Sequence, residues 1–342
     1  MILGICGYGY TGSGALISLL MEFEGARYLN NRAVQEFTLS YISDGLEDLE
    51  FNLVNNPSKG TRCDVAIYRF KLLVDYYERN YNRFTNNKFK QFSYEYLDKL
   101  IQIKYKGVRV FEYQRSWKKW LFYVHARIAN LFRKYNIEMR LFPLNERYFS
   151  IFPEQFVEYT KEYVEKLLGK RDNDCLILDQ PFSVGNPLHS MRFFNSPKCI
   201  VVDRDPRDLY VMVKYVYKSK AAFIPTNTVE NYIEYYKRVR DDRLWRGSNL
   251  VYRLQFEDLI YKYNETIKDI ERFIGSDLGN HVNPKKFFNP SISIANTNIF
   301  SNYVNDADDI KKIESELHDY IYTFPKLNKE KNNVNLNIFT YM

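Results

Sequence analysis

The sequence predicts an α/β protein: a parallel, doubly wound sheet, interrupted by a helical insertion. Short, continuous apolar runs recur along the chain, as expected of strands buried on both faces. Helical patterns separate those runs, which is the alternation that builds a parallel sheet. The first run also passes straight into a glycine-rich turn and a helix, ILGICGYGYTGSGALISLLMEFEG, the outline of a phosphate-cradling loop with no lysine or arginine in it.

The first strand is ILGIC (2–6). After the loop, Ala15, Leu16, Leu19, Leu20 and Phe23 fall on one helical stripe, and Gly25 is placed to cap the helix. Residues 60–150 break the rhythm. They are rich in Tyr, Lys, Arg and Asn, and segments such as YLDKLIQI (96–103) and SWKKWLFYVHARIANLFRKY (116–135) read as helices. We take this stretch as two or three helices inserted in, or capping, a single domain spanning 1–342. The helix FVEYTKEYVEKLL (156–168) then leads to the strands CLILD (175–179) and KCIVVD (198–203). The helix TVENYIEYYKRVRDD (228–242) leads to a last strand, NLVYRLQ (249–255). From KDIERFIG (268–275) to DADDIKKIESELHDYIYTF (306–324) the chain reads as helical and is expected to pack across the sheet. The last fifteen or so residues, rich in Asn and Lys, are expected to be loose.

With 49 Lys and Arg against 42 Asp and Glu, the net charge of +7 suits an anionic ligand but is too small to argue for nucleic acid. Most of the 30 Tyr and 25 Phe sit at core-like spacings and read as packing. Cys6, Cys63, Cys175 and Cys199 have no paired spacing, which argues against disulfides and a zinc site, and no metal is expected. Met1 opens directly onto a core strand and no apolar run is long enough to span a bilayer, so we expect a cytoplasmic protein with no signal peptide and no membrane span.

In an open parallel sheet, ligands bind beyond the carboxyl ends of the strands. Two strand ends carry unusual chemistry. The first, GYGYTGSG (7–14), also holds Gly9; its Gly12 and Gly14 allow close backbone approach and positive φ, while Thr11 and Ser13 add hydroxyls in front of a helix start. A ligand-free strand-to-helix turn accounts for the same residues. A Walker A loop needs lysine and then Ser/Thr after its second glycine, where this chain has Ser13 and Gly14, which disfavours ordinary ATP hydrolysis. In VVDRDPRDLYVMVKYVYKSK (201–220), Asp205 can cap a helix beginning at Pro206, with Asp208 closing its first turn. Arg204 and Arg207 then stand at a helix start where a guanidinium suits a phosphate, or where a local salt-bridge ring forms. Together the two strand ends suggest a nucleotide with phosphates at both ends.

These segments resemble the P-loop sulfotransferases. The glycine loop, the Arg-Asp-Pro-Arg-Asp segment, the Phe-Glu-Asp-Leu strand end, FIG (273–275) and SISIANTNIF (291–300), which includes Asn296, are similar to the family's elements. The resemblance covers roughly 1–50 and 175–325 and leaves the middle unmatched. It implies transfer of a sulfuryl group from 3′-phosphoadenylyl sulfate (PAPS) to a hydroxyl or amine. On that reading, residues 9–14, Tyr10 included, hold the 5′-phosphosulfate, and Arg204 with the following helix holds the 3′-phosphate. Two positions depart from the family: Tyr10 stands where Lys or Arg is usual, and Met212 where Ser is common. A cation from Lys214, Lys218 or the insertion then takes over, or the donor differs.

In the family's polysaccharide-modifying branch a glutamate after the second strand takes the acceptor proton, and Glu36 matches that placement, with Asp44 in reserve. Asp179, ending CLILD, points at the site mouth and can orient the acceptor; His189 and His125 are weaker candidates. The segment KYKGVRVFEYQRSWKKW (104–120) can hold an acidic or sugar acceptor through Trp117, Trp120, Arg115 or Lys118, or simply form a solvated amphipathic helix. The sequence therefore points to a sulfotransferase acting on a glycan or glycan precursor. The alternatives are a transferase of another activated phosphoryl-type group and a nucleotide-binding protein without catalysis.

Overall fold

The computed structural model describes residues 1–29, 36–57, 61–109, 119–133, 135, 144–169 and 175–325. The chain forms two compact units, one comprising Met1–Tyr41, Arg83–Thr85 and Val164–Met342, the other Ile42–Asn82 and Asn86–Tyr163.

The first unit holds the sheet. Its strands are β1 (Ile2–Gly7), β2 (Ala26–Tyr28), β5 (Cys175–Asp179), β6 (Pro197–Asp203) and β7 (Val251–Gln255), all paired in parallel in the order β2-β5-β1-β6-β7. In β5 and β6, consecutive residues such as Leu176, Ile177 and Leu178, or Cys199, Ile200 and Val201, are all buried. Both faces of these strands are therefore covered, which is why they read as unbroken apolar runs rather than as alternation. Leu3 and Ile5 of β1 pack with Leu16, Leu19 and Leu20 of α1 (Ser13–Leu20) and with Ile267, Ile270 and Ile274 of a helix at Tyr263–Ile274. A second cluster joins the helices Pro206–Val211, Val229–Val239 and Ala307–Glu316 through Leu209, Tyr232, Tyr236, Ile310 and Ile313.

Two local readings need correction, and one strand was not read from the sequence. Gly25 does not cap α1: the helix ends at Leu20, the N–H of Met21 returns to the Ile17 carbonyl, and Gly25 lies in the turn before β2. The edge strand β2 is too short and too polar at Arg27 to register as an apolar run. Asp208 does not close its own helix's first turn; its carboxylate accepts the N–H groups of Asn298 and Phe300.

The second unit is built on helices at Thr61–Tyr81, Phe89–Leu100 and Lys119–Arg133. It also contains an antiparallel pair, β3 (Ile103–Gly107) with β4 (Asn145–Phe149), where the sequence suggested helices alone. Its buried Asp64 accepts from Arg109 Nε (3.1 Å), Arg147 Nε (3.3 Å) and the Tyr148 N–H (2.9 Å), which ties the strand pair to the long helix. The chain passes back to the first unit within the helix Phe156–Leu168, whose bounds coincide with the sequence reading. Arg115, Trp117, Lys118 and the C-terminal tail beyond 325 lie outside the described residues.

Candidate functional site

Because β1 is central, with β5 on one side and β6 on the other, the carboxyl ends of three strands come together at Gly7, Asp179 and Asp203. The Gly7 N–H donates to Gln180 Oε1 at 3.2 Å, fastening the end of β1 to the residue after Asp179. The loop then turns sharply, and Thr11 Oγ1 accepts the Tyr8 N–H at 3.2 Å. Gly9, Tyr10 and Gly12 take left-handed backbone angles, with φ of 87°, 57° and 102°. A side chain at Gly12 would also come within 2.5 Å of the Phe256 ring, so both conformation and packing require glycine there.

The Gly12 carbonyl accepts from Ala15 and Leu16 and starts α1. Among the described residues, the backbone N–H groups of residues 9–14 have no protein acceptor. Successive amides in left-handed and turn conformations, in front of a helix N-terminus, make a concavity suited to an oxyanion. The loop therefore supplies partial positive charge from its backbone rather than from a side chain.

Tyr10 occupies the place where a cation was looked for. Its ring stacks on Tyr217, with centroids 4.0 Å apart, and lies 6.0 Å from Phe223; its hydroxyl donates to the Lys220 carbonyl at 2.8 Å. Of the replacement cations considered, Lys214 is engaged elsewhere, bound to Asp306 (2.7 Å), Asp309 (3.3 Å) and the Tyr210 hydroxyl (3.0 Å). Lys218 is exposed and follows Tyr217 directly.

Arg204 is a cation that reaches the loop backbone. It is buried, its Nη1 donates to the Tyr10 carbonyl at 3.4 Å and its Nη2 to the Asn296 carbonyl, and its guanidinium lies 4.8 Å from the Phe256 ring centroid. Its Nε is buried without a partner among the described residues. Arg207 is occupied throughout: Nε and Nη2 bind Asp205 (3.0 and 2.7 Å), Nη1 binds Glu314 (2.7 Å), Nη2 also reaches the Tyr322 carbonyl (2.9 Å), and the guanidinium faces Phe300. Asp205 caps the helix as expected, accepting the Arg207 N–H at 2.9 Å. Met212 is buried in the second cluster.

Beneath these residues lies a charged network that the sequence reading did not resolve. Glu257, in Phe-Glu-Asp-Leu, accepts the Asp205 N–H at 3.0 Å, and burial pushes its carboxyl up to about 8 against the opposing pull of Arg204. Burial likewise raises Asp208 to about 6. Asp203 goes the other way: although burial works against its charge, Arg240 (2.8 Å) and Arg253 (2.5 Å) hold it below the ordinary carboxylate range. Its place at the end of an apolar strand was a visible signal, but its partners, 37 and 50 residues away, were not.

Two candidate carboxylates converge at the neighbouring strand end. The Phe37 N–H donates to the Asp179 carbonyl at 2.7 Å, which sets Glu36 beside β5. Burial first, and then the charge of Glu36, raise Asp179 to about 7, and Asp179 Oδ1 is buried without a partner among the described residues. Glu36 is exposed, yet partial desolvation raises its carboxyl too. The same Glu36 charge acts on the Tyr10 phenol, which burial has already raised, so the carboxylates and the glycine loop share one electrostatic neighbourhood. Asp44 belongs to the second unit, where it lies 3.5 Å from Arg69. His189 lies 3.2 Å from Arg192 Nη2, and His125 lies in the second unit.

The parallel sheet with its glycine loop is an α/β architecture of the P-loop type, the class the sequence predicts. In known structures, the chain is similar to the sulfotransferase domain of the Synechococcus PCC 7002 olefin synthase, at 12% identity and a TM-score of 0.38, covering 95% of this chain and 96% of that one. It is also similar to sulfotransferase STF9 from Mycobacterium avium (12%, 0.38, 93% and 75%) and to STF1 from Mycobacterium tuberculosis H37Rv (10%, 0.35, 86% and 76%). No family model and no curated protein matches the sequence. What the site can do is read from its own geometry.

Proposed function

We propose that the protein transfers a sulfuryl group from PAPS to a hydroxyl or amine of a glycan or glycan precursor. The observation that supports this most is the loop at 9–14, a cradle of amides without protein acceptors whose Tyr10 carbonyl is held by Arg204. Such a cradle fits the 5′-phosphosulfate end of the donor, and Arg204, with one buried nitrogen left over, fits the 3′-phosphate end. Thr11, Ser13 and Gly14 complete the cradle, and Asn296 presents its segment beside Arg204. Arg207 serves by holding the helix start to Glu314 and to the Tyr322 carbonyl.

The donor supplies an activated sulfur–oxygen bond. Glu36 accepts the proton of the attacking hydroxyl or amine, a new bond to sulfur forms, and the electron pair of the broken bond leaves with the phosphate. Asp179, raised to about 7 beside Glu36, holds a proton near neutral pH and hydrogen-bonds the acceptor. Amides of the loop stabilise the charge that develops on the departing 5′-phosphate, while Arg204 anchors the other end of the donor.

One observation favours a second reading, nucleotide binding without transfer: Tyr10, locked in its stack with Tyr217, stands where a loop cation would neutralise the leaving group. Calorimetry separates the cases. Adenosine 3′,5′-bisphosphate should bind more tightly than ATP, with magnesium dispensable, and labelled donor should pass its sulfuryl group to an acceptor. Tight binding with no transfer to any of a panel of sugars would favour the second reading. Preference for ATP with magnesium would overturn the sulfuryl-transfer reading in favour of a kinase-like one.

A further inference from the structure

The helix Lys119–Arg133 in the second unit is apolar on two sides. His125, Ile128 and Phe132 are half-buried on one stripe. On the other, Trp120, Val124 and Leu131 are 54%, 40% and 64% exposed, and Tyr135, just past the helix end, is 71% exposed. Successive spacings of four, seven and four residues align them, and Tyr123, 58% exposed, borders the same stripe. An aromatic and aliphatic stripe so far exposed has a binding partner in view.

The charge around the stripe says which kind. From Gln114 to Ile137 the sequence carries Arg115, Lys118, Lys119, Arg127, Arg133 and Lys134, and no Asp or Glu. Arg127 and Arg133 are exposed and meet no carboxylate among the described residues. Of these, Arg127 falls within the exposed stripe and Arg133 is exposed near the helix end, and the sequence places further basic residues on either side of the helix. A second copy of the chain would set two such basic surfaces against each other, which costs affinity. Single-stranded nucleic acid stacks on aromatic rings but has no use for Val124 and Leu131. An anionic lipid surface uses both halves: the cations meet the headgroups while Trp, Tyr, Val and Leu enter the acyl boundary.

We infer that this helix docks the protein on the surface of a membrane containing anionic lipids, lying in the interface plane. Among the described residues no helix is long and apolar enough to cross a membrane, so the contact is peripheral. The inference stands apart from the proposed transfer reaction, because it rests on a helix of the other unit.

Co-sedimentation of the full chain with vesicles tests it. Phosphatidylcholine vesicles containing phosphatidylserine should bind the protein, pure phosphatidylcholine much less, and raised salt should release it. Arg127→Ala with Arg133→Ala should lower the partition coefficient roughly fivefold for each cation removed, so roughly 25-fold together. Trp120→Ser with Leu131→Ser should lower it roughly tenfold or more, with an unchanged circular-dichroism spectrum because both positions are exposed. Equal binding to charged and neutral vesicles would overturn the inference, as would binding untouched by Trp120→Ser with Leu131→Ser. Self-association abolished by those substitutions without vesicle binding, or tighter binding to a single-stranded oligonucleotide than to vesicles, would also overturn it.

Discussion

Replacing Asp179 by Asn should make the protein more stable at alkaline pH. Burial and the charge of Glu36 raise the Asp179 carboxyl from an ordinary 3.8 to about 7. A group whose pKa is higher when folded binds its proton more tightly in the native state, so native stability falls as pH rises from about 4 to about 7. Each step of one in pKa corresponds to about 1.4 kcal/mol, so three such steps make the ionised carboxylate cost about 4 kcal/mol above pH 7. Glu36 supplies part of that, so the deeply buried share is somewhat smaller. Asn keeps the shape and never ionises. Asp179→Asn should therefore match the parent near pH 4.5 and exceed it by up to about 4 kcal/mol near pH 8. Urea unfolding of both proteins at pH 4.5, 6 and 8 measures the difference at each point. A difference that is flat with pH, or a variant that loses stability relative to the parent as pH rises, would refute the placement of Asp179 in a desolvated, negatively charged setting.

Glu36→Gln should lower single-turnover transfer by about 10²–10⁴-fold while leaving donor affinity nearly unchanged, measured on one preparation by quenched flow and calorimetry; loss of donor binding instead would make Glu36 structural. Arg204→Ala should weaken adenosine 3′,5′-bisphosphate binding by about 1.5–3 kcal/mol in calorimetry, and an affinity equal to the parent's would remove Arg204 from the nucleotide site. Arg207→Ala should instead act on the fold, costing about 3–5 kcal/mol in urea unfolding because it strands buried Asp205; a loss below 1 kcal/mol or so would show that the ion pair is dispensable. Gly12→Ala should cost at least about 1 kcal/mol from its left-handed backbone alone, with more from the clash at Phe256, read as a lower melting temperature.

The sheet was legible because burial on both faces writes itself into consecutive residues: ILGIC, CLILD and KCIVVD contain almost nothing but apolar side chains. The helix Phe156–Leu168 was equally plain, since its 3.6-residue periodicity is local information. The antiparallel strands of the second unit were not. IKYKG and NERYF are short and heavily charged, and Ile103–Gly107 is exposed along most of its length, so no apolar pattern marks it. At the candidate site, positions were readable and partnerships were not. Arg204 and Arg207 look alike in sequence, yet one holds backbone carbonyls of the loop and of the Asn296 segment while the other is consumed by Asp205 and Glu314. Asp205 lies two residues from Arg207, but Glu314, Tyr10 and the Asn296 segment, which complete the division, lie 92 to 194 positions away from their arginines. Tyr10 could be seen to replace a cation, but its stacking partner Tyr217 stands more than two hundred residues downstream.

The segment around Arg-Asp-Pro-Arg-Asp has a consequence for synthesis on the ribosome. Residues 204–208 bind backbone or side-chain groups of Asn296, Asn298, Phe300, Glu314 and Tyr322, contacts that bridge 90 to 117 positions along the chain. None of them can form until the downstream partner has left the exit tunnel. All five strands of the sheet and the glycine loop are synthesised by residue 255, so a nascent chain holds its whole scaffold well before it can fasten Arg204. At typical synthesis rates of about 5–20 residues per second, that interval lasts on the order of several seconds. Throughout it, Arg204 and Asp208 lack those partners, and the proposed nucleotide site is completed only once they emerge.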